Sequence, residues 1–420
     1  MEPMIYWIWL SLACTPGSPT FGKLIKEYED AKEIYQADGK RIASIIGYRT
    51  SDRTSLEDKS LERAEEIYRF CLKHGVGIVT YDDERFPSSL RRISDPPVLL
   101  YFRGRLPDFD KLFTVAAVGT RSLSDYGRKN AFRISYDLAK AGATVVSGMA
   151  LGIDGVAMAG ALAADGITVA VIGSGIDICY PPQHLRLARE IVKHGCVLTE
   201  YAPGTKPTKY SFPKRNRLIS GLSAATLVFE GAEKSGALIT ARYAKEQGRS
   251  VYALPGNVGS ENSQLSNLLI KNGASICTKA EDLLGDFTEK YPGVINTFHL
   301  KQRMEVDMMA TLREYEVSAI CPNDDIFDVP NPWKKREKST RAEAWDHSDT
   351  LIKEQVSPPA DFDKKALMVY KRIPLGESCS LESLVDEETD LREVMRYLLM
   401  LEVGGFVRML PGEMVTRKFK

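Results

Sequence analysis

The chain has 420 residues, 44% hydrophobic and 27% charged, with 56 Lys plus Arg against 56 Asp plus Glu. This is the composition of a globular protein with a sizeable core, and the length leads us to expect two or three domains. A formal net charge of zero excludes a chain-wide attraction to polyanions, so any such reading has to rest on local clusters.

The amino terminus, MEPMIYWIWLSLACTPG, has an apolar run without basic residues ahead of it, broken at Ser11. It is expected to be part of a helical region rather than a cleaved signal. Tyr6, Trp7 and Leu10, then Phe21, Leu24, Ile25 and Tyr28, then Ile34 recur at helical spacing. They predict a small helical domain over residues 1–70, of the helix-hairpin-helix or SAM-like kind. TPGSP at 15–19 is its first turn, either an ordinary corner or a hairpin whose amides meet DNA backbone.

From 76 to 287 short apolar runs alternate with helical stretches. The runs are LFTVAAVG, ATVVSG, ITVAVIGSG, CVLTEY, ATLVFEG, SVYALPG and ASICT. Helices are expected near 126–141, 152–165, 182–194, 213–221, 235–248 and 264–272. Strands separated by such helices predict βαβ units and a parallel sheet, and continuous apolar strands suit a sheet covered on both faces.

Residues 288–360 lose this rhythm. A helix over 304–318 is followed by proline- and charge-rich sequence, including a basic run at 334–338, which reads as a linker lacking fixed structure in part. Residues 361–420 regain a pattern: a helix near 363–372, a helix capped by Thr389 with Leu391, Val394, Leu398 and Leu401, and two strands joined at Pro411–Gly412. That is a winged-helix outline. No run of about 18 apolar residues occurs, so no membrane span is expected. Seven cysteines without a CxxC fit a reducing cytoplasm and neither a zinc site nor a disulfide framework.

Chemistry concentrates where strands pass into helices. In open α/β sheets ligands bind beyond the carboxyl ends of the strands. Here those ends read VGTRS (118–122), SGMALGID (147–154), IGSGID (172–177) and FEGAEKSGALIT (229–240). Glycine lets backbone amides approach an anion, and a helix start adds partial positive charge. The expected phosphate-contacting residues are therefore Gly119, Thr120 and Arg121, Ser147 and Gly148, Gly173, Ser174 and Gly175, and Lys234, Ser235 and Gly236. A dinucleotide fingerprint is absent, because Ile178 stands where the third glycine of GSGIDI would be, and a P-loop is absent, because Lys234–Ser235 lacks the preceding glycine frame.

The segment SFPKRNRLISGLS (211–223) adds a basic cluster in a stretch free of acids between Glu200 and Glu230. Phosphate-tracking cations beside aromatic faces are the usual formula for single-stranded nucleic acid. Phe212 either stacks on a base or packs beneath the following helix. Lys214, Arg215 and Arg217 either hold phosphate or pair with strand-end acids such as Asp154, Asp177 and Glu230. Those three carboxylates leave hydrolysis open, but no nucleophile motif or metal-ligand spacing accompanies them, so no catalytic residue, cofactor or metal is expected.

These motifs in this order resemble the DprA/Smf family, the DNA-processing proteins of bacterial natural transformation. The resemblance is carried by DDERFPSSLRRISDPPVLLYFRG, VAAVGTRSLSDYG, VVSGMALGID, AVIGSGIDICYP, FPKRNRLISGLS, KSGALITARYAKEQGR and ALPGNVGS, together with the amino-terminal stretch. It implies an α/β fold: an extended Rossmann-like, mostly parallel sheet, with a helical domain before it and a winged-helix-like domain after it. It implies a cytoplasmic homodimer that binds single-stranded DNA without sequence preference, helps load the RecA recombinase, and is not an enzyme. Carried over by motif, the DNA contacts are Arg121 and Phe212, Lys214, Arg215, Asn216 and Arg217. The chain departs from the family pattern at QLSNLLI (264–270), where Leu265–Ser266 replaces glycine and a small hydroxyl residue. The rival reading is a nucleotide phosphoribohydrolase acting on nucleoside monophosphates, whose glycine-rich signature LPGNVGSE (254–261) only approximates. The helix over 389–401 carries Arg392, Glu393 and Arg396 but is acidic at its start through Glu387, Glu388 and Asp390, so a regulatory or protein-binding role fits it better than duplex DNA.

Overall fold

The computed structural model describes residues 2–48, 50–302, 308–316 and, with gaps, 363–417. The chain divides into two units, Met1–Lys335 and Arg336–Lys420.

The helical periodicity of the amino terminus produces α1 (Glu2–Ala13), α2 (Thr20–Leu24), α3 (Ala31–Gln36), α4 (Gly39–Ile46), α5 (Ser51–Glu57) and α6 (Glu62–Lys73). Asp30 and Asp38 cap α3 and α4 by accepting first-turn amides. Trp7, Ile8, Trp9 and Leu10 of α1 are buried, each worth roughly 1.5–3 kcal/mol or more of transfer free energy. They share one core with Leu99, Tyr101 and Val197 of the sheet, so this helical layer and the sheet edge pack as one body. The TPGSP turn is a packed corner. The Asp52 carboxylate accepts the amide and hydroxyl of Thr15 and the hydroxyl of Ser18. Gly17 takes φ +71°, and a side chain there would touch Lys214 and Arg217.

The sheet contains β1 (Gly77–Thr80), β2 (Leu99–Gly104), β3 (Thr114–Val118), β4 (Thr144–Ser147), β5 (Thr168–Val171), β6 (Cys196–Thr199), β7 (Ala225–Val228), β8 (Ser250–Ala253) and β9 (Ser275–Ile276). Their spatial order is β1-β2-β6-β5-β4-β3-β7-β8-β9. β1 and β2 are antiparallel additions at one edge, and β6 through β9 run parallel. The intervening helices are α7 (Ser88–Arg91), α8 (Asp125–Lys140), α9 (Ile153–Ala163), α10 (Leu185–His194), α11 (Ser211–Gly221), α12 (Gly236–Glu246), α13 (Gln264–Lys271) and α14 (Ala280–Leu284).

Consecutive strand residues divide between two cores. Val115, Ala117, Val145 and Leu227 face the α8–α9 side, while Ala116, Val118, Val146 and Val228 face the side carrying α11 and α12. Burial on both faces is the reason the strands read as unbroken apolar runs. The chain steps from β3 outward through β4, β5 and β6, then α11 carries it back across the sheet to β7, beside β3. Strand order therefore reverses between β3 and β7, the place where doubly wound sheets open a ligand crevice.

Part of the segment expected as a linker packs on this body. α15 (Met308–Glu316) lies against α9 and α10 and buries Leu312, and Ile295 joins the same core. The basic run at 334–338 and Cys321 lie outside the described residues. The other six cysteines are free, and burial pushes the thiols of Cys71, Cys179 and Cys277 up to about 12, so they stay protonated at neutral pH.

The second unit holds α16 (Lys364–Arg372), β10 (Ser378–Ser380), a 3₁₀ turn at Glu382–Leu384, α17 (Leu391–Val403), β11 (Val407–Leu410) and β12 (Met414–Arg417). Its strands lie in the order β10-β12-β11 over a core of Val369, Tyr370, Val394, Leu398 and Leu401. Glu387, Glu388, Asp390 and the turn at Pro411–Gly412 lie outside the described residues. Among the described residues no helix is long and apolar enough to cross a membrane.

Candidate nucleic-acid interface

The reversal point is built from the loop after β3, GTRS, laid against the loop after β7, FEG. Thr120 N donates to Glu230 O (2.8 Å) and Phe229 N to Val118 O (3.1 Å), so the two loops form one edge. Gly119 has no room for a side chain, since a Cβ would stand 2.6 Å from Ile153 Cγ1. The buried Glu230 carboxylate accepts from Ser124 N (2.9 Å) and Ser124 Oγ (2.5 Å), and a Cβ on Gly127 would meet it at 2.2 Å. It braces the start of α8 and is not presented to a substrate.

The other strand-end carboxylates are also turned inward. Asp154 accepts from Gly148 N (3.1 Å) and Ala150 N (3.4 Å), shaping the loop after β4. Asp177 accepts from Gly204 N (2.8 Å), shaping the loop after β5. Burial raises the pKa of both.

The basic segment folds as α11, and its cations part company there. Arg215 and Arg217 do not stand on the surface with the other cations. Arg215 is 4% exposed. Its Nη1 donates to Gly148 O (2.9 Å) and to Val171 O, and its Nε to Asn216 Oδ1 (3.2 Å). Burial lowers its pKa to about 10, against the pull of Asp154. Arg217 is 1% exposed and forms ion pairs through Nε to Asp95 (3.0 Å) and through Nη2 to Glu200 (2.6 Å). Position 215 lies four residues after Ser211 and three before Leu218, on the stripe that α11 buries, a periodicity that signals its inward direction. Nothing local to 217 signals its partners, which come from before β2 and from the end of β6.

Several amides of the glycine loops are spent as well. Those of Thr120, Gly148 and Gly175 donate to Glu230 O, Asp154 and Thr205 O. The side chains of Ser147 and Ser174 donate to Ala117 O (2.6 Å) and Ile178 O (3.1 Å). These glycines are needed for close packing: a Cβ on Gly148 would stand 2.5 Å from Arg215 Nη2 and 2.7 Å from Asp154 Oδ2. Gly148→Ala is expected to lower stability by about 1–3 kcal/mol through overpacking. Urea unfolding checks this, and an unchanged midpoint would contradict the packing described.

What remains open to solvent is a row at the mouth of the crevice. Arg121 is exposed, and its Cζ lies 5.7 Å from the centre of the Phe212 ring. Phe212 is half-buried, with the Tyr180 ring centred 5.3 Å away. Gly173 makes room for it, since a Cβ there would be 3.0 Å from Phe212 Cδ1. The row brings together residues from after β3, after β5 and the start of α11. Tyr180 was not among the expected site residues; an aromatic between the glycine loop and Pro181 was its only signal. Lys206 and Lys209 are exposed and Lys214 half-buried along the approach to α11 and its first turns. Asn216 Nδ2 reaches Gly236 O (3.4 Å), placing the start of α12, with exposed Lys234 and half-buried Ser235, beside α11.

A family model described as DNA recombination-mediator protein A matches residues 77–288. The chain belongs to this family. The Smf protein of Synechocystis is 43% identical over 287 residues, 66% of this chain and 71% of that one. The DNA processing protein DprA of Bacillus subtilis is 38% identical over 55% of this chain and 76% of its own. Among solved structures, DNA processing protein A from Streptococcus pneumoniae superposes with a TM-score of 0.58 at 34% identity, covering 68% of this chain and 98% of that one. Members of this family are DNA-binding recombination mediators and not enzymes, which removes the phosphoribohydrolase reading. The matched span runs from β1 through α14 and holds every residue of the row.

Proposed function

We propose that this protein binds single-stranded DNA without sequence preference along the Arg121–Phe212–Tyr180 row. The observation that carries this is that the three strand-end carboxylates are withdrawn while cations of the same loops stay exposed, the loop acids Asp125 and Glu233 being exposed beside them. Asp154, Asp177 and Glu230 are buried, while Arg121, Lys206, Lys209 and Lys234 stand exposed. A flexible polyanion meets cations there, with the Phe212 ring seating Arg121. Arg121 can fork onto a phosphate, and the lysines track the strand as point charges. Arg215 and Arg217 serve this face indirectly, by fixing the helix that presents Phe212 and Lys214.

The names of the relatives and of the family support a place in DNA processing and recombination. We extend this to transfer of the bound strand to the RecA recombinase by a homodimer. Residues 361–420 form a winged-helix-like module of regulatory or protein-binding character in this scheme, joined through 288–360 to the helical (1–70) and Rossmann-like (76–287) parts.

The test is a salt titration of the full chain on an unbiased single strand and on a duplex of the same sequence. For the single strand, log K should fall with log[salt] at a slope of about −0.7 per phosphate neutralised. Three or four contacting cations correspond to a slope of about −2 to −3. Equal or tighter binding of the duplex would remove the proposal.

A further inference from the structure

We infer that Tyr210, at the tip of a braced turn ahead of α11, is an outer platform on which an unpaired base stacks, with Lys209 meeting the neighbouring phosphate. This rests on the single-strand reading above and adds a subsite to it.

The turn is held by its ends. Thr208 N donates to Ser211 Oγ (3.1 Å), Ser211 N to Thr208 Oγ1 (3.1 Å), and Ser211 Oγ to Thr208 O (3.0 Å). Tyr201 Oη donates to Ser211 O (3.2 Å), tying the turn to the chain that leaves β6. Every one of these bonds uses Thr208 or Ser211, and none uses the two residues between. Tyr210 is 69% exposed, and its hydroxyl has no hydrogen-bond partner among the described residues. The Lys209 ammonium lies over its ring, 5.2 Å from the ring centre.

A large aromatic held open on a rigid turn contributes little to folding, because its ring stays largely in water. Its chemistry suits a ligand with a flat apolar face and an adjoining negative charge. An unpaired nucleotide offers both, whereas the bases of a duplex are already stacked. Phe212, two residues later, is less able to play this part. Gly173, Tyr180 and the Arg121 guanidinium crowd its ring. Its role is to seat Arg121, and the open face belongs to Tyr210.

The experiment compares two oligonucleotides of equal length, one of thymidines and one of abasic sites, by fluorescence anisotropy with the full chain. Tyr210→Ala is expected to weaken thymidine binding about 5- to 150-fold and to leave abasic binding within about twofold of wild type. Tyr210→Phe should bind thymidines as wild type does, because stacking does not need the hydroxyl. The salt slope should stay unchanged in Tyr210→Ala and become shallower by about 0.7 in Lys209→Ala. An equal loss on both oligonucleotides, or no loss on either while Arg121→Ala still weakens both, overturns the platform and leaves the row intact. No effect of Arg121→Ala on either removes the single-strand reading, and the platform with it.

Discussion

Arg121→Ala is expected to weaken single-stranded DNA binding roughly 10- to 150-fold, equally on oligonucleotides of different sequence. The estimate follows from hydrogen bonds to charged groups, worth about 1.5–3 kcal/mol. The side chain is exposed at a loop end, so its removal leaves the core untouched. Its guanidinium rests over Phe212, which limits the rotamers it samples and lowers the entropy lost on binding. Arg121→Lys should recover part of the loss, since the point charge returns but the planar fork does not. The salt slope should become shallower by about 0.7 in the alanine variant. Anisotropy titration at two salt concentrations checks both effects, and a folded variant with unchanged Kd would remove the single-strand reading of the row.

Arg217→Ala should act on stability instead, lowering it by about 3–5 kcal/mol. The guanidinium is surrounded, with Asp95 on one side and Glu200 on the other. Removing it strands Glu200, whose own burial raises its pKa, in a site that water barely reaches. Asp95 keeps some solvent contact and suffers less. Arg217 also lies against Gly17 of the first turn, so the same change loosens the helical layer from α11. Replacing both partners, Arg217→Met with Glu200→Leu, should recover much of the loss, because an apolar pair of similar volume avoids the stranded charge. Urea unfolding followed by far-ultraviolet circular dichroism measures this. A loss under about 1 kcal/mol in Arg217→Ala would show that the ion pairs carry little of the fold.

These two arginines, 96 residues apart, illustrate what could be read in advance. The alternation of apolar runs and helical stretches from 112 to 278 announced the parallel part of the sheet, and the strand ends carried the crevice loops as expected. Local patterns sufficed because a strand buried on both faces and the helix that follows it each leave a signature within about ten residues. β1 and β2 were not among the runs singled out. As an antiparallel edge addition they form a pair whose place is set by contact with β6 and not by their own periodicity.

The cation cluster shows the limit more sharply. The sequence alone determined that positive charge and an aromatic gather on the helix that recrosses the sheet, and which family's motifs surround it. It could not say which of those cations face water. Arg215 is turned inward by carbonyl oxygens 67 and 44 residues away, and Arg217 by Asp95 and Glu200. Only the folded sheet brings those groups together. The reason is that a buried guanidinium is tolerated solely where several distant acceptors converge on it, and convergence is a property of the folded chain and not of any window along it.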